Sequence, residues 1–308
     1  LLEIGLYKIF HSLIGTAILP SYHRKHNDNF CYFGAESNYA KNLKKRGFVA
    51  KRITLDIEGT KVDAMILGKK ENLEDKDKPW MIPSNGNGEK FADKLSPWSS
   101  STLKLIDKVN ANAVFFDYPS IGLSEGILPS KDMAVKTYRA IYDLVVNQIM
   151  AKKVICYGFS IGGGVQGEAL NGLKLKDGVE HVFVKDRTFS TLANAAHGLK
   201  IKIPFVRSIM ALTIKAFGWN LSSCESSLNL KAKEIILHTT TRRADLSCKK
   251  AMPIIHDGVI SKEASLAHFI NENRELLKAT KHIIAINASH CAPISSDETK
   301  TLAREIAS

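Results

Sequence analysis

The chain has 308 residues, 44% of them apolar, and 43 Lys and Arg against 31 Asp and Glu, for a formal charge of +12. That composition excludes a disordered or fibrous chain and allows one large α/β domain, or two smaller ones, with a substantial core. The basic excess would suit an acidic partner, but apart from 41–46 and Arg242-Arg243 it is spread thinly and no nucleic-acid-binding module accompanies it, so no nucleic-acid partner is expected.

The N-terminus is the first element. Apolar residues at 2, 6, 9, 10, 13, 14 and 17 trace a helical stripe that stops at Pro20. The stretch free of Lys, Arg, Asp and Glu runs only from Ile9 to His23, too short to span a bilayer comfortably. Glu3 stands where a signal peptide carries its basic leader. Residues 1–49 are therefore read as an N-terminal helical segment packed on the domain that follows. The expected location is the cytoplasm, or export without a recognisable signal peptide. Peripheral membrane contact through residues 1–19 or 204–217 is left open.

A hairpin follows. Residues 50–57 and 61–67 alternate as strands do and flank Glu58-Gly59-Thr60, a tight-turn signal. After a charged loop, Trp80-Met81-Ile82-Pro83 reads as a buried strand entering the glycine-rich 84–89. A helix is expected over 89–108, interrupted near Pro97. Strand and helix signals then alternate: strand 113–118, helix 132–151, strand 153–157, helix 161–173, strand 181–185, and strands 234–239 and 282–287. This order implies a mostly parallel central sheet with an antiparallel N-terminal edge and helices on both faces. Residues 50–308 form that domain, with a helical, lid-like insertion over about 193–233. Within it, 204–218 is a Pro-initiated, Gly-terminated helix, placed either over a pocket mouth or in the core.

The chemistry centres on Gly158-Phe159-Ser160-Ile161-Gly162, at a strand-to-helix junction. G-x-S-x-G in that context is a nucleophile-elbow pattern, with Ser160 thrust above the carboxyl edge of the sheet. A serine needs a base, a group that orients the base, and donors for the oxyanion. His290, in the loop after the last strand, is the best-placed base; His238 and His181 lie in strands, and His11, His23 and His26 precede the sheet. Asp257 is the favoured acid, with Asp245 and Asp186 as alternatives. The backbone N–H of Ile161 follows the nucleophile and opens a helix; a second donor is expected from Asn87, with Gly86 as the alternative. The five cysteines (Cys31, Cys156, Cys224, Cys248, Cys291) are scattered and odd in number. They point to neither a disulfide framework nor a zinc site, and mildly to a reducing compartment.

From about Arg52 onward the chain resembles the α/β-hydrolase superfamily. Asn85-Gly86-Asn87-Gly88 is similar to its His-Gly-type oxyanion loop, residues 117–126 to its Asp-Tyr-x-Gly-x-Gly-x-Ser-x-Gly segment, and Gly158–Gly162 to its elbow. Asp186-Arg-Thr-Phe-Ser-Thr-Leu192 resembles a segment of a subgroup that includes proteins of intracellular bacteria, some delivered into host cells, which makes a bacterial effector one expectation. Asn85 replaces the usual histidine and Ser120 the usual glycine. The resemblance implies an α/β-hydrolase fold and a serine hydrolase that cleaves a carboxylic ester or thioester, lipase-like, with a small-molecule or lipid-like acyl ester as substrate. It implies no metal and no organic cofactor. A peptidase, an acyltransferase and a non-catalytic binding protein on the same fold stay open, and no sequence signal fixes an oligomeric state.

Overall fold

Helices α1 (Leu2–Ile18) and α2 (Asn38–Lys45) precede the first strand in the computed structural model, which describes residues 2–20, 38–95, 101–126, 128–199, 203–241, 252–276 and 281–308. Strands β1 (Phe48–Ile57) and β2 (Thr60–Lys69) form the expected antiparallel hairpin, closed by the pair Ile57↔Thr60. The two turn residues, Glu58 and Gly59, have φ of 52° and 80°, as the primed turn between twisted strands demands. Asp56 Oδ1 accepts the Gly59 N–H at 2.8 Å and locks the turn.

Beyond the short helix α3 (Lys70–Leu73) come β3 (Trp80–Ser84), a 3₁₀ turn at Phe91–Leu95 and α4 (Ser101–Lys108). The helix expected over 89–108 is thus two separate pieces; Pro97 itself lies outside the described residues. Then β4 (Asn112–Phe116) leads to α5 (Lys131–Asp143), whose last turn widens into a π-turn at Leu144–Gln148. Strand β5 (Lys153–Phe159) meets α6 (Ile161–Leu170), which ends three residues earlier than expected. Strand β6 (Glu180–Asp186) is followed by α7 (Leu192–His197), α8 (Pro204–Ala216) and α9 (Cys224–Asn229). The chain closes with β7 (Lys233–Thr239), α10 (Leu266–Glu272), β8 (Lys281–Ile286) and α11 (Ser296–Ala307).

The eight strands lie in the order β1-β2-β4-β3-β5-β6-β7-β8. Pairs β1–β2 and β2–β4 are antiparallel and every later pair is parallel, from β4 across to β8. Side chains of β5 alternate between two cores: Val154 and Cys156 pack with Tyr138 of α5 and Val165 of α6, while Ile155 and Tyr157 pack with Ile106 of α4 and Leu302 of α11. Burial on both faces explains why the central strands read as continuous apolar runs rather than as alternating ones. Pro83 is tolerated in a central strand because its pairing with β4 has already ended at Met81↔Ala113. There β3 opens into the glycine-rich loop.

The insertion between β6 and β7 carries α7, α8 and α9. Pro204 starts α8, and Gly218, at φ 75°, follows its end. Of the side chains in α8 only Ile214 is buried. Helix α1 packs against the end of α8. Trp219 Nε1 donates to His11 O at 2.7 Å, the His11 ring stacks on Trp219 at 5.1 Å, and Phe10 meets Phe217 at 5.5 Å. Gly15 makes the approach feasible, since a Cβ there would lie 2.5 Å from Trp219 Cζ2. Among the described residues no helix is long and apolar enough to cross a membrane.

Candidate active site

The loops that matter all leave the carboxyl edge of the parallel strands. Ser160, directly after β5, has φ 52° and ψ −120°, a conformation L-residues rarely adopt and a source of local strain. The residues two positions to either side must be glycine. A Cβ on Gly158 would sit 2.6 Å from Gly163 Cα, and one on Gly162 would sit 2.7 Å from the carbonyl oxygen of Asn85. The turn is held from both sides: Ser160 N–H donates to Asp186 O at 2.9 Å, and Thr188 Oγ1 donates to Ser160 O at 2.7 Å.

Ser160, Asp257 and His290 come together from β5, the loop after β7 and the loop after β8. His290 Nε2 lies 2.9 Å from Ser160 Oγ, and His290 Nδ1 lies 2.7 Å from Asp257 Oδ2. All three residues are buried. The second carboxylate oxygen, Asp257 Oδ1, accepts the N–H groups of Val259 at 2.9 Å and Ile260 at 2.7 Å, so the acid is fixed independently of the histidine. Burial pushes the Asp257 carboxyl up, but the His290 hydrogen bond and charge and the two amides outweigh it and hold the group below the usual carboxylate range. The two loops are also joined through the backbone, His290 N–H to Asp257 O at 2.7 Å.

Of the alternative acids, Asp245 lies outside the described residues. Asp186 is engaged elsewhere: its oxygens accept from Arg187 Nε at 2.7 Å, Arg187 Nη2 at 3.0 Å and Tyr157 Oη at 2.5 Å. His238 is buried in β7 with Nδ1 3.1 Å from Thr239 O, and His181 pairs with Tyr142 Oη at 2.7 Å. His11 belongs to the α1–α8 contact; His23 and His26 lie outside the described residues.

Ile161 and Asn87 both line the cavity above Ser160. The alternative donor, Gly86, spends its N–H on Glu89 Oε2 at 2.7 Å. The loop is anchored by Asn85, whose Nδ2 donates to Phe116 O at 3.0 Å and Asp117 Oδ1 at 2.9 Å. Asp117 also accepts the Phe91 N–H, yet burial dominates and pushes its carboxyl up to about 7. Ser120, which stands where the hydrolase pattern has glycine, sits at φ 72° with its buried Oγ lacking a hydrogen-bond partner. The backbone has kept the glycine conformation although the residue has changed.

One residue of the site has no role in the sequence reading. Arg187, at φ 43°, forks onto Asp186 with Nε and Nη2 and sends Nη1 to the carbonyls of Ser289 at 2.5 Å and Ala292 at 2.7 Å. It therefore grips the loop on either side of His290. Its only signal was the Asp-Arg-Thr-Phe-Ser segment; no spacing rule links 187 to 289.

The cavity is about 540 Å³. Its lining includes the apolar side chains Ile18 of α1, Leu192 and Ala196 of α7, Met210 and Ile214 of α8, and Ile260, together with Glu89, Asp93 and Lys94. Lys94 is salt-bridged to Glu89 at 2.8 Å. Among the described residues there is no cluster of three or more His, Cys, Asp or Glu able to hold a metal ion.

Solved structures share this architecture. An α/β hydrolase from Vibrio vulnificus aligns with a TM-score of 0.63 over 96% of this chain and 90% of its own, at 12% identity. The Pyrococcus furiosus esterase Pf2001 aligns with a TM-score of 0.60 over 86% of this chain and 92% of its own, at 15% identity. Acetyl xylan esterase 1 from Thermoanaerobacterium sp. JW/SL YS485 gives 0.53 over 94% and 98%, at 12% identity. No curated protein sequence matches the chain. A family model described as Chlamydia CHLPS protein (DUF818) matches residues 1–308, end to end. With its strand order and elbow on an α/β-hydrolase fold, the chain belongs to the Chlamydia CHLPS protein (DUF818) family.

Proposed function

We propose that the chain is a serine hydrolase that cleaves a carboxylic ester or thioester through an acyl-enzyme on Ser160. The observation that carries this reading is the unbroken chain from Ser160 Oγ to His290 Nε2, 2.9 Å, and from His290 Nδ1 to Asp257 Oδ2, 2.7 Å. In this arrangement Asp257 keeps the proton on Nδ1, leaving Nε2 free to accept the Ser160 proton as Oγ attacks the carbonyl carbon. The oxyanion of the tetrahedral intermediate is held by the N–H groups of Ile161 and Asn87, with the α6 dipole adding to the field. Collapse expels the alcohol or thiol, protonated by His290, and leaves an ester on Ser160. Water, deprotonated by the same imidazole, then releases the acid and restores the hydroxyl.

The apolar residues in the cavity lining support an acyl group of some length as the part that stays on the serine. The esterase and hydrolase structures aligned above have the same fold, which fits this chemistry without specifying the acyl group. The test is labelling with a fluorophosphonate probe and turnover of nitrophenyl esters of increasing chain length. Wild type labels and turns over, and Ser160→Ala and His290→Ala do neither. Absence of both from the folded wild-type protein would leave a binding protein on a hydrolase fold.

A further inference from the structure

The helices that roof the cavity expose a large amount of apolar surface. On α8, Phe205 is 71% exposed, Leu212 64% and Ile209 45%, and Ile203 just before it is 59% exposed. On α1, Ile9 is 55% exposed, Leu13 51% and Phe10 48%. Singly exposed residues of this kind are ordinary, but two packed helices presenting them together are not. The two helices touch through Phe10–Phe217 and His11–Trp219, so the exposed residues belong to one roof.

Two further observations say what this face meets. The first is charge. Between Ala193 and Lys233 the sequence has six Lys and Arg (200, 202, 207, 215, 231, 233) and a single acid, Glu225, and α8 itself has no acid at all. Lys8 of α1 and Lys215 of α8 are exposed. An apolar helical face bordered by cations is the pattern of a helix lying in the headgroup region of an anionic bilayer. A second copy of the chain on this face would bring like charges together, which opposes self-association. The second observation is continuity. Ile18 of α1 and Met210 and Ile214 of α8 line the cavity, while Leu13 and Leu212, within about a turn and a half of them, lie on the outer face. The same two helices help to line the cavity that holds Ser160 and form the exposed apolar surface.

We propose that α1 and α8 dock the protein on an anionic lipid surface, and that the acyl substrate enters the cavity from that surface. Docking stands on the exposed face alone, whereas the origin of the substrate rests on the hydrolase reading given above. Vesicle co-sedimentation separates the two. Full-length wild type and Ser160→Ala are compared with Phe205→Ser/Leu212→Ser on vesicles of phosphatidylcholine alone and of phosphatidylcholine mixed with phosphatidylglycerol. Neither Phe205 nor Leu212 lines the cavity, so the double variant keeps wild-type turnover of a soluble short-chain nitrophenyl ester. Wild type and Ser160→Ala should bind the anionic vesicles equally, more weakly as salt rises, and the double substitution should weaken binding about a hundredfold, roughly tenfold for each large side chain withdrawn from lipid. Equal binding to both vesicle types, or binding indifferent to the double substitution, overturns the proposal. So does self-association, or capture of a protein partner, that the double substitution abolishes while vesicles remain unbound. If vesicles bind while no ester is cleaved, docking survives and the substrate assignment falls.

Discussion

Replacing Asp257 by Asn tests the geometry more sharply than removing the nucleophile. Asp257 Oδ1 accepts two amides, from Val259 and Ile260, and Oδ2 meets His290 Nδ1 at 2.7 Å. Asparagine can keep the amides on its carbonyl oxygen, which puts its NH₂ group against Nδ1. An NH₂ donor there makes Nδ1 the acceptor and moves the ring proton to Nε2, which then points a hydrogen at Ser160 Oγ instead of a lone pair. The base is lost while every atom stays near its place. The expected fall in kcat is about 10⁴-fold, or about 5.4 kcal/mol of transition-state stabilisation. The fold loses only one charge-assisted hydrogen bond, about 2 kcal/mol, so the protein should still melt cooperatively a few degrees lower. Turnover of a nitrophenyl ester, with a thermal melt of the same sample, reads both quantities. Asp257→Asn retaining more than about a tenth of wild-type kcat would refute the tautomer argument, as would loss of turnover in folded Asp245→Asn alone.

Arg187→Lys keeps the charge but cannot reproduce the fork on Asp186 while also reaching the carbonyls of Ser289 and Ala292. It should lower kcat about a hundredfold by loosening the His290 loop and cost about 3 kcal/mol in stability; unchanged kcat and melting would remove the loop-anchoring role. Ser120→Gly relieves a left-handed φ of 72° and removes a buried hydroxyl without a partner, so it should raise stability by about 1–2 kcal/mol in a denaturant titration, and a decrease counts against it. The Asp117 carboxyl, pushed up to about 7 by burial, holds its proton more tightly in the folded than in the unfolded chain. The stability it contributes is therefore complete below about pH 4 and lost, by up to about 4 kcal/mol, as pH rises through 7. Asp117→Asn should flatten that part of the pH–stability curve, and parallel curves for the two proteins would show that the carboxyl is not the cause.

The parts of the site that could be read from the sequence are those where local chemistry is restrictive. Gly158 and Gly162 announce the elbow because a Cβ at either position would strike Gly163 or Asn85 backbone. Ser160 and His290 are legible because Ser160 directly follows one strand and His290 lies in the loop just after the last one, and the apolar runs mark both strands. Asp257 was harder, since a long segment separates it from the end of β7 and an acid in a loop has many structural uses. Arg187 was not legible in role at all: its partners, Ser289 and Ala292, are a hundred residues away and bind through carbonyls, which every residue has. The break in the 89–108 helix was legible from Pro97, whereas which way α8 faces was not. Apolar periodicity shows that a face exists but not what it faces.

That last distinction bears on how the insertion and the chemistry are joined. The segment 186–192 is the junction. Thr188 Oγ1 holds the elbow at Ser160 O, Thr188 O accepts Leu266 N–H from α10, and Ser190 O accepts the N–H groups of Ser223 and Cys224 at the base of α9. Arg187 in the same segment holds the His290 loop, and Thr191 forms a bridge with Ser222. The Ser160 turn, the His290 loop, α9 and α10 are thus all tied to one seven-residue stretch, in addition to the direct bond between Ser160 and His290. A change in the exposed half of α8, which makes none of these ties, can alter the exposed apolar surface without moving Ser160 relative to His290. Substitution within 186–192 cannot. The exposed face of α8 can therefore be substituted without disturbing the Ser160–His290–Asp257 geometry.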